Sequence, residues 1–600
     1  MTLPTVVVSP SLTPTPVEQV ASSVTVITAE EIQRTQRRTL PDVLSTVPGL
    51  NVVRTGGPGG QTSIFMRGTN SQHVKVLIDG IDVSDPSTPN GAPDFGNYLT
   101  DDIERIEVLR GPQSGLYGAN AIGGVISITT KKGSGPPKVR ASVEGGSFST
   151  FNQAASLSGS QKNVDYSFNV THFHAGNTPV TPAYVVPPGA TAMPNYYDNT
   201  TYSTRLGAAV TDDLSVNFVA RYIDAKLLFT EVLTGPRSTG TYKAFYTRGE
   251  AVWKTLDGRL TQRFGAAFSD TARDNTTPPG TVTNFEGTRN KIDWRGDFVL
   301  APGHTIIAGL ERDNEQATGN LFNVKTGNQA AYAEIQSQFA ERLFLTGNIR
   351  GDDHDQFGSH MTYRLAAAFV TPVTNTKLKA TYGTGFKAPT LYELYGVGSF
   401  SYLGNPTLRP EESIGYDVGF EQPLFNGRVK FGGTYYENRI KNLINSLFIF
   451  GPPTVNTYVN VGQAKMHGSE WFAEVIVTDQ LRLRGDFTRT MAFDSVANTE
   501  LLRRPNNKGS ISATWQPTDK SSLTATVLSV GSWIDAGRVA PFGATQKPGY
   551  TIVNLAGEYA IHPNATVFAR VDNLFDKRYE KPYGWEQPSL SVYGGVRATY

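Results

Sequence analysis

The stretch Leu214-Ser215-Val216-Asn217-Phe218-Val219-Ala220-Arg221-Tyr222 carries its apolar side chains at a spacing of two. Leu214, Val216, Phe218, Ala220 and Tyr222 share one parity, with Ser215, Asn217 and Arg221 between them. A period of two is a strand with one face in an apolar medium and the other against something polar. The pattern returns in Val553, Leu555, Gly557, Tyr559 and Ile561 against Asn554 and Glu558, and again in Ala565, Val567, Ala569 and Val571. It also ends the chain, through Leu590, Val592, Gly594, Val596, Ala598 and Tyr600. A soluble sandwich accounts for a few such strands, but not for residues 136–600 with no helical pattern and so many aromatic side chains. A membrane barrel accounts for them. Lipid requires an apolar outer face, a wet lumen requires a polar inner one, and closure satisfies every strand edge.

Composition narrows the alternatives. The 600 residues hold Gly 60, Pro 36 and 10% aromatics, with only 18% charged residues and Lys+Arg 54 against Asp+Glu 53. That balance is too neutral for a nucleic-acid binder and too aromatic for a disordered chain. Cys 0 excludes a disulfide framework, a cysteine zinc site and a thiol nucleophile. No run approaches the ~18 apolar residues of a spanning helix. The opening Met-Thr-Leu-Pro has no basic region followed by an apolar stretch, as expected of a mature form with an added Met.

Before about residue 135 the pattern differs. Thr28-Ala29-Glu30-Glu31 has the spacing of a capping box. Thr39 precedes a helical turn with Leu40, Val43, Leu44 and Val47 on one face, stopped by Pro48-Gly49. Short strands are expected at 63–66, 74–78, 103–109 and 125–129, giving a small mixed α/β domain. Beyond it, sharing residues 136–600 among 22 strands, the number in plugged outer-membrane transporters, leaves about 21 residues per strand and connection. Gly/Pro/Asn-rich segments at 176–201, 271–290 and 537–549 are expected to be long loops.

Two stretches carry a family resemblance: 64–82, with Arg67-Gly68-Thr69-Asn70 and His73-Val74, and 103–130, with Val108-Leu109-Arg110-Gly111-Pro112 and Gly123-Gly124-Val125. They resemble the plug of TonB-dependent outer-membrane receptors. Phe386-Lys387-Ala388-Pro389, Gly404-Asn405-Pro406-Thr407-Leu408-Arg409-Pro410-Glu411, Asp572-Asn573-Leu574-Phe575-Asp576 and the terminal aromatic strand extend the likeness over nearly the whole chain. Within the family, Arg67 to Asn70 with His73-Val74, the short 386–410 segment and the length are most similar to the cobalamin transporters. The resemblance implies an all-β transmembrane barrel of about 22 antiparallel strands with an N-terminal α/β plug inside its lumen. The expected division is 1–20 arm and linker, 21–135 plug and 136–600 barrel. It also implies a bacterial outer-membrane location among lipid, import of a corrinoid driven by periplasmic TonB, and neither a nucleic-acid partner nor enzymatic activity.

Residue by residue, Pro4-Thr5-Val6-Val7-Val8-Ser9 resembles the TonB box, a β-prone segment on a flexible arm suited to strand addition at a partner's sheet edge. Arg67 and Arg110 resemble plug arginines that pair with barrel acids, here Asp417 and Glu470; a guanidinium fork suits carboxylates. Asp417 stands where the family leads one to expect a glutamate. Arg54, Thr55, Gly57 and Gln61 resemble a first ligand-contacting plug apex, and Asp85, Asn90 and Asp94 a second. The glycine cluster at 56–60 is not a phosphate loop, since the Lys-Ser/Thr of that motif is absent. Asp79, Asp82 and Asp85 lack EF-hand spacing, and Asp352-Asp353-His354-Asp355 lies in strand pattern, which turns neighbours to opposite faces. The aspartate-rich calcium loop of some cobalamin transporters falls at 176–201, where only Asp198 stands, so no metal or cofactor is expected. His172 and His174 share an outward parity, and no His lies between Phe386 and Leu408, which argues against haem. His73 is read as packing. A ferric-siderophore receptor is the alternative within the family. A passive porin, the alternative outside it, has no use for a plug or a box. No serine elbow or zinc-protease motif supports an enzyme.

Overall fold

The computed structural model describes residues 6–230, 235–398, 401–449, 451, 454–540 and 543–600. Residues 138–599 form one closed barrel of 22 long antiparallel strands. The first, Lys138–Gly146, pairs with the last, Ser591–Thr599, from Arg140↔Thr599 to Gly146↔Tyr593, so no edge is left open to lipid. Short turns such as 162–163 and 340–342 mark one end, and long connections such as 179–194 and 573–590 mark the other.

The Leu214 stretch shows why the barrel is inside out. In the strand Leu214–Phe229, Val216, Phe218 and Tyr222 are exposed, whereas Arg221 is 5% exposed and faces the lumen. The apolar parity meets lipid and the polar parity meets the plug. At Asp224 and Lys226 the outward parity turns charged, which marks where the strand leaves the hydrocarbon. Outward Trp253 and Trp515 lie opposite Leu214 and Leu481 at the short-turn end, in the position of an interfacial aromatic girdle.

Strands run further than the sequence suggests. Residues 271–290, expected to be a loop, are mostly the ends of Leu260–Thr277 and Thr281–Ala301. The segment 176–201 likewise narrows to a connection at 179–194. Above the membrane both faces of a strand are wet, so the alternation that identifies strands disappears although the ladder continues.

The plug fills the lumen. Its sheet runs in the order Ser23–Thr28, Ile103–Arg110, Gly124–Thr130, Val74–Ile78, Ile81–Asp82, with Gly124–Thr130 parallel to Val74–Ile78 and the other pairs antiparallel. A hairpin, Leu50–Arg54 with Thr62–Met66, stands beside it. The helix Ala29–Thr35 is capped by Thr28 Oγ1, which accepts from Glu31 N at 3.3 Å. Thr39 does not cap Leu40–Leu44; its hydroxyl donates to Asp42 Oδ2 at 2.5 Å instead.

The expected cost of Phe218→Lys is about 2–4 kcal/mol, that of a cation at mid-bilayer, whereas Asn217→Lys on the lumen side is milder. Urea titration of the protein in phosphocholine vesicles measures both, and equal costs would contradict the assignment of faces.

Candidate ligand cavity and plug–barrel contacts

At the long-loop end, plug and barrel enclose a cavity of about 720 Å³. Thr55, Gln61, Asn90 and Asp94 of the two expected apices line its floor, and Phe229, Phe285, Tyr392 and Trp585 contribute rings from the barrel side. Three expected contact residues do not line it. Arg54 turns inward, donating through Nη2 to Asp42 Oδ1 at 2.9 Å and Thr39 Oγ1 at 3.1 Å. Gly57, at φ +71°, lies against Thr178 so closely that a Cβ would meet its Cγ2 at 2.6 Å. Asp85 is buried against Arg273, 2.9 Å away, and accepts from Ser87 N and Oγ at 2.8 and 2.6 Å. Sequence gives the loops but not which way their side chains turn.

Two arginines at this cavity are paired: Arg273 with Asp85, and Arg503 with Asp535 at 2.9 Å. Asp94 Oδ1 accepts from Thr62 N and Gly96 N at 2.9 and 3.0 Å, tying the second apex to the first. Burial pushes the Asp94 carboxyl up to about 6, against the pull of those two hydrogen bonds. Arg538 stacks over Trp585 at 4.4 Å and donates Nε–H to Gly584 O at 2.8 Å.

Deeper in the lumen, Arg67 forks onto Glu470, Nε to Oε1 at 2.8 Å and Nη2 to Oε2 at 2.9 Å, while Nη1 reaches Asp417 Oδ1 at 2.7 Å. Arg110 Nε lies 3.1 Å from Glu470 Oε2, and its Nη1 donates to Thr25 Oγ1 and Pro48 O. The side chains of all four residues are 6% exposed or less. Burial works against the charge of Arg67, but the carboxylates of Asp417 and Glu470 outweigh it and hold the group above its ordinary value. For Arg110 burial prevails over Glu470 and lowers it. Gly49 makes room for the cluster: at φ +75°, a Cβ there would lie 2.2 Å from Glu470 Oε1.

The box-like segment is docked rather than extended. Pro4 and Thr5 lie outside the described residues. Val6–Val7 pairs with Thr15–Pro16 in a small hairpin, and Val7 is fully buried. Glu107 Oε2 accepts from Val8 N at 3.0 Å, Ser9 N at 2.7 Å and Ser9 Oγ at 2.5 Å. Tyr117 donates to Ser9 O at 2.6 Å and Arg105 to Val6 O at 3.2 Å. The flexible arm inferred from the Pro/Thr/Ser-rich sequence is, in this segment, held by a buried carboxylate nearly a hundred residues away.

Comparison with known proteins adds the family. Residues 141–574 match the family described as TonB dependent receptor-like, beta-barrel, and residues 16–125 match the TonB-dependent Receptor Plug Domain. The chain is a TonB-dependent receptor. It is 26% identical over 600 residues to a vitamin B12 transporter BtuB of Photobacterium profundum, covering 98% of this chain and 93% of that one. To the BtuB of Vibrio vulnificus it is 29% identical over 586 residues, 94% of this chain and 89% of that one. A solved ferric enterobactin receptor of Pseudomonas aeruginosa, a point mutant in complex with enterobactin, superposes with a TM-score of 0.83, covering 97% of this chain and all of that one. At 20% identity it shows the fold alone. The receptor resides in the bacterial outer membrane and belongs to a family of transporters and receptors that work with TonB.

Other residues of the receptor take roles that sequence reading missed. His73, read as packing, bridges plug and barrel: its Nε2 lies 3.0 Å from Glu411 Oε2, while Nδ1 accepts from Asn70 N. Asp79, Asp82 and Asp85 serve separate partners, Arg205, Arg289 and Arg273. His172 and His174 face outward and both reach Asp198 Oδ2, at 3.1 and 3.2 Å. Asp352 faces the lumen against Arg350, and Asp353 the other side, as strand parity requires.

Arg67→Ala leaves two buried carboxylates short of their main partner, so plug docking should weaken by about 3–5 kcal/mol. Arg67→Lys should recover only part of this, since an ammonium cannot fork. Protease susceptibility of the plug in a urea series reads both. Asp94, normally near 3.8 and raised to about 6 by burial, holds in the folded receptor a proton that the unfolded chain releases. Its stabilising contribution is therefore full below pH ~4 and lost as pH rises through about 6. Asp94→Asn should flatten the plug's calorimetric midpoint across that window, and an unchanged slope would show that other groups set it.

Proposed function

We propose that this receptor imports cobalamin or a related corrinoid by TonB-coupled transport. The observation that carries the reading is the lining of the outer cavity. Two of its three guanidiniums are spent on Asp85 and Asp535, leaving amides, hydroxyls and aromatic rings, with Arg538, to face the ligand. An uncharged, amide-rimmed macrocycle fits such a lining, and the named function of the relatives from Photobacterium and Vibrio agrees with it.

A continuous set of contacts links that cavity to the docked box. The first apex leads into the strand Thr62–Met66, which ends at Arg67. Arg67 and Arg110 share Glu470, and Arg110 ends the strand Ile103–Arg110, whose Glu107 holds Val8 and Ser9. Ligand that shifts the apex thereby biases the carboxylate that retains the box, and the freed Val6–Val8 can add to a sheet edge of periplasmic TonB. The proton gradient supplies the energy through TonB, so the receptor needs no nucleotide site. Arg538 lines the cavity, makes no ion pair among the described residues, and favours the second reading, an anionic ferric siderophore.

Trp585 in the cavity wall makes tryptophan quenching a direct readout. Purified receptor titrated with cyanocobalamin, with and without calcium, is expected to bind it below micromolar in both buffers and to ignore a ferric catecholate. The reverse preference would establish the siderophore reading. Deleting residues 4–9 should preserve binding and abolish uptake; surviving uptake would refute the assignment of the box.

A further inference from the structure

Three cavities lie in line down one flank of the plug. Below the outer cavity is one of about 180 Å³, reached by Pro58 and Thr178 above and by Arg38, Arg570 and Tyr593 below. Under it, toward the short-turn end, is one of about 430 Å³ lined by Arg38, Ser142, Thr171 and Arg597. The register of the closing strands fixes this order: Gly146↔Tyr593 lies at the middle cavity, Glu144↔Gly595 at the divide, and Ser142↔Arg597 at the inner cavity.

Two thin partitions separate them. The upper is the glycine apex, pressed on the wall so closely that a Cβ at Gly59 would lie 1.9 Å from the Tyr197 ring. The lower is Arg38, which lines both the middle and inner cavities. Its Nε and Nη2 donate to Glu144 Oε2 at 3.0 and 2.7 Å, and Arg570 Nη1 donates to the same oxygen at 2.6 Å. Glu144 is buried, yet its Oε1 makes no hydrogen bond among the described residues. Beside it, Arg37 holds Asp572 at 2.9 Å, so both arginines release the wall if residues 37–39 move. Elsewhere round the wall the plug is held by the ion pairs of Asp79 with Arg205, Asp102 with Arg221, Asp85 with Arg273 and Asp82 with Arg289, and, on strands distant in sheet order from this flank, by Arg67 and Arg110 on Asp417 and Glu470.

We infer that cargo leaves the outer cavity along this flank, between the plug and the wall of strands Lys138–Gly146, Val164–Thr178 and Ser591–Thr599, with Arg38 and Glu144 as the inner gate. The inference rests on the transport reading but not on the identity of the cargo. The lining of hydroxyls and paired charges suits a polar solute. Opening the gate requires displacement of one plug side chain and its short segment, whereas opening the other side breaks a cluster of two arginines and two acids.

The test uses efflux of arabinose from proteoliposomes. In a Tyr197→Ala background, which opens the upper partition, Arg38→Ala joins the middle and inner cavities and should raise efflux about tenfold, the equivalent of ~1.4 kcal/mol off the barrier. Glu144→Gln, nearly isosteric, should raise it less and serves if Arg38→Ala does not fold, which heat-dependent gel mobility reports. Because the chain has no cysteine, Ser142→Cys in the leaking variant can be capped with a bulky methanethiosulfonate, which should close the leak. The same adduct at Ser512→Cys, which lines a separate gap, should not. Folded gate variants that do not leak, or a leak indifferent to the Ser142→Cys adduct, would overturn the route. Cyanocobalamin binding measured on the same preparations addresses the cargo alone, so the two readings fail separately.

Discussion

Glu470 accepts the fork of Arg67 and pairs by charge with Arg110, whose Nε lies 3.1 Å away, on one buried carboxylate, with Asp417 taking the remaining edge of Arg67. Removing charges from water is costly, and such a cluster endures only because its donors and acceptors are matched. The plug's position follows from it: the hairpin that carries the first apex ends at Arg67, and the strand that carries the box-holding Glu107 ends at Arg110. A barrel with an apolar exterior has to place its polar groups inward, so its lumen is rich in charges that require partners. The plug supplies them, and the same pairing that fills the lumen also blocks it.

The two flanks of the plug differ in how they are held. On one, four buried ionic groups and the His73–Glu411 contact fix it to the wall. On the other, cavities separate plug from wall and the contacts include Arg37 with Asp572, Arg38 with Glu144 and Gln36 Nε2 with Gly557 O. Chain order reinforces the difference. The docked box, the arginines at 37 and 38 and the glycine apex at 56–60 all precede Arg67. Ser23–Thr28, the strand that follows the box, is an edge of the plug sheet. A force applied at the N-terminus therefore reaches Arg37 and Arg38 before it reaches Arg67, so that opening and retention are assigned to different residues of one small domain.

The barrel was legible in the sequence because lipid imposes a strict period of two, as in Leu214–Tyr222. It stopped being legible above the membrane, where residues 271–290 continue as strand with polar groups on both faces. The α/β plug was legible from short apolar runs and one capping threonine. Its strand at 74–78 was expected at those bounds, whereas the edge strand Ser23–Thr28 was not expected at all. Of the site, Arg67 and Arg110 and their acids could be named through the family resemblance. Arg38, Glu144 and the His73–Glu411 contact could not, since nothing local marks a pair separated by a hundred residues or more. The apex loops were located while the orientation of Arg54, Gly57 and Asp85 was not, because packing against the wall decides it. Docking of Val6 to Ser9 on Glu107 was hidden for the same reason.

The most direct measurement is force spectroscopy on the receptor in a supported bilayer, pulled from its N-terminus. If the cluster at Glu470 is the principal anchor, roughly 60 residues should extend before a main rupture, a contour of ~200 Å at about 3.3–3.6 Å per residue. Arg67→Ala should lower the force of that rupture without shifting the earlier ones. Release of the whole plug in a single step at low force, unaltered by Arg67→Ala, would contradict the claim that this cluster holds the plug while the opposite flank yields.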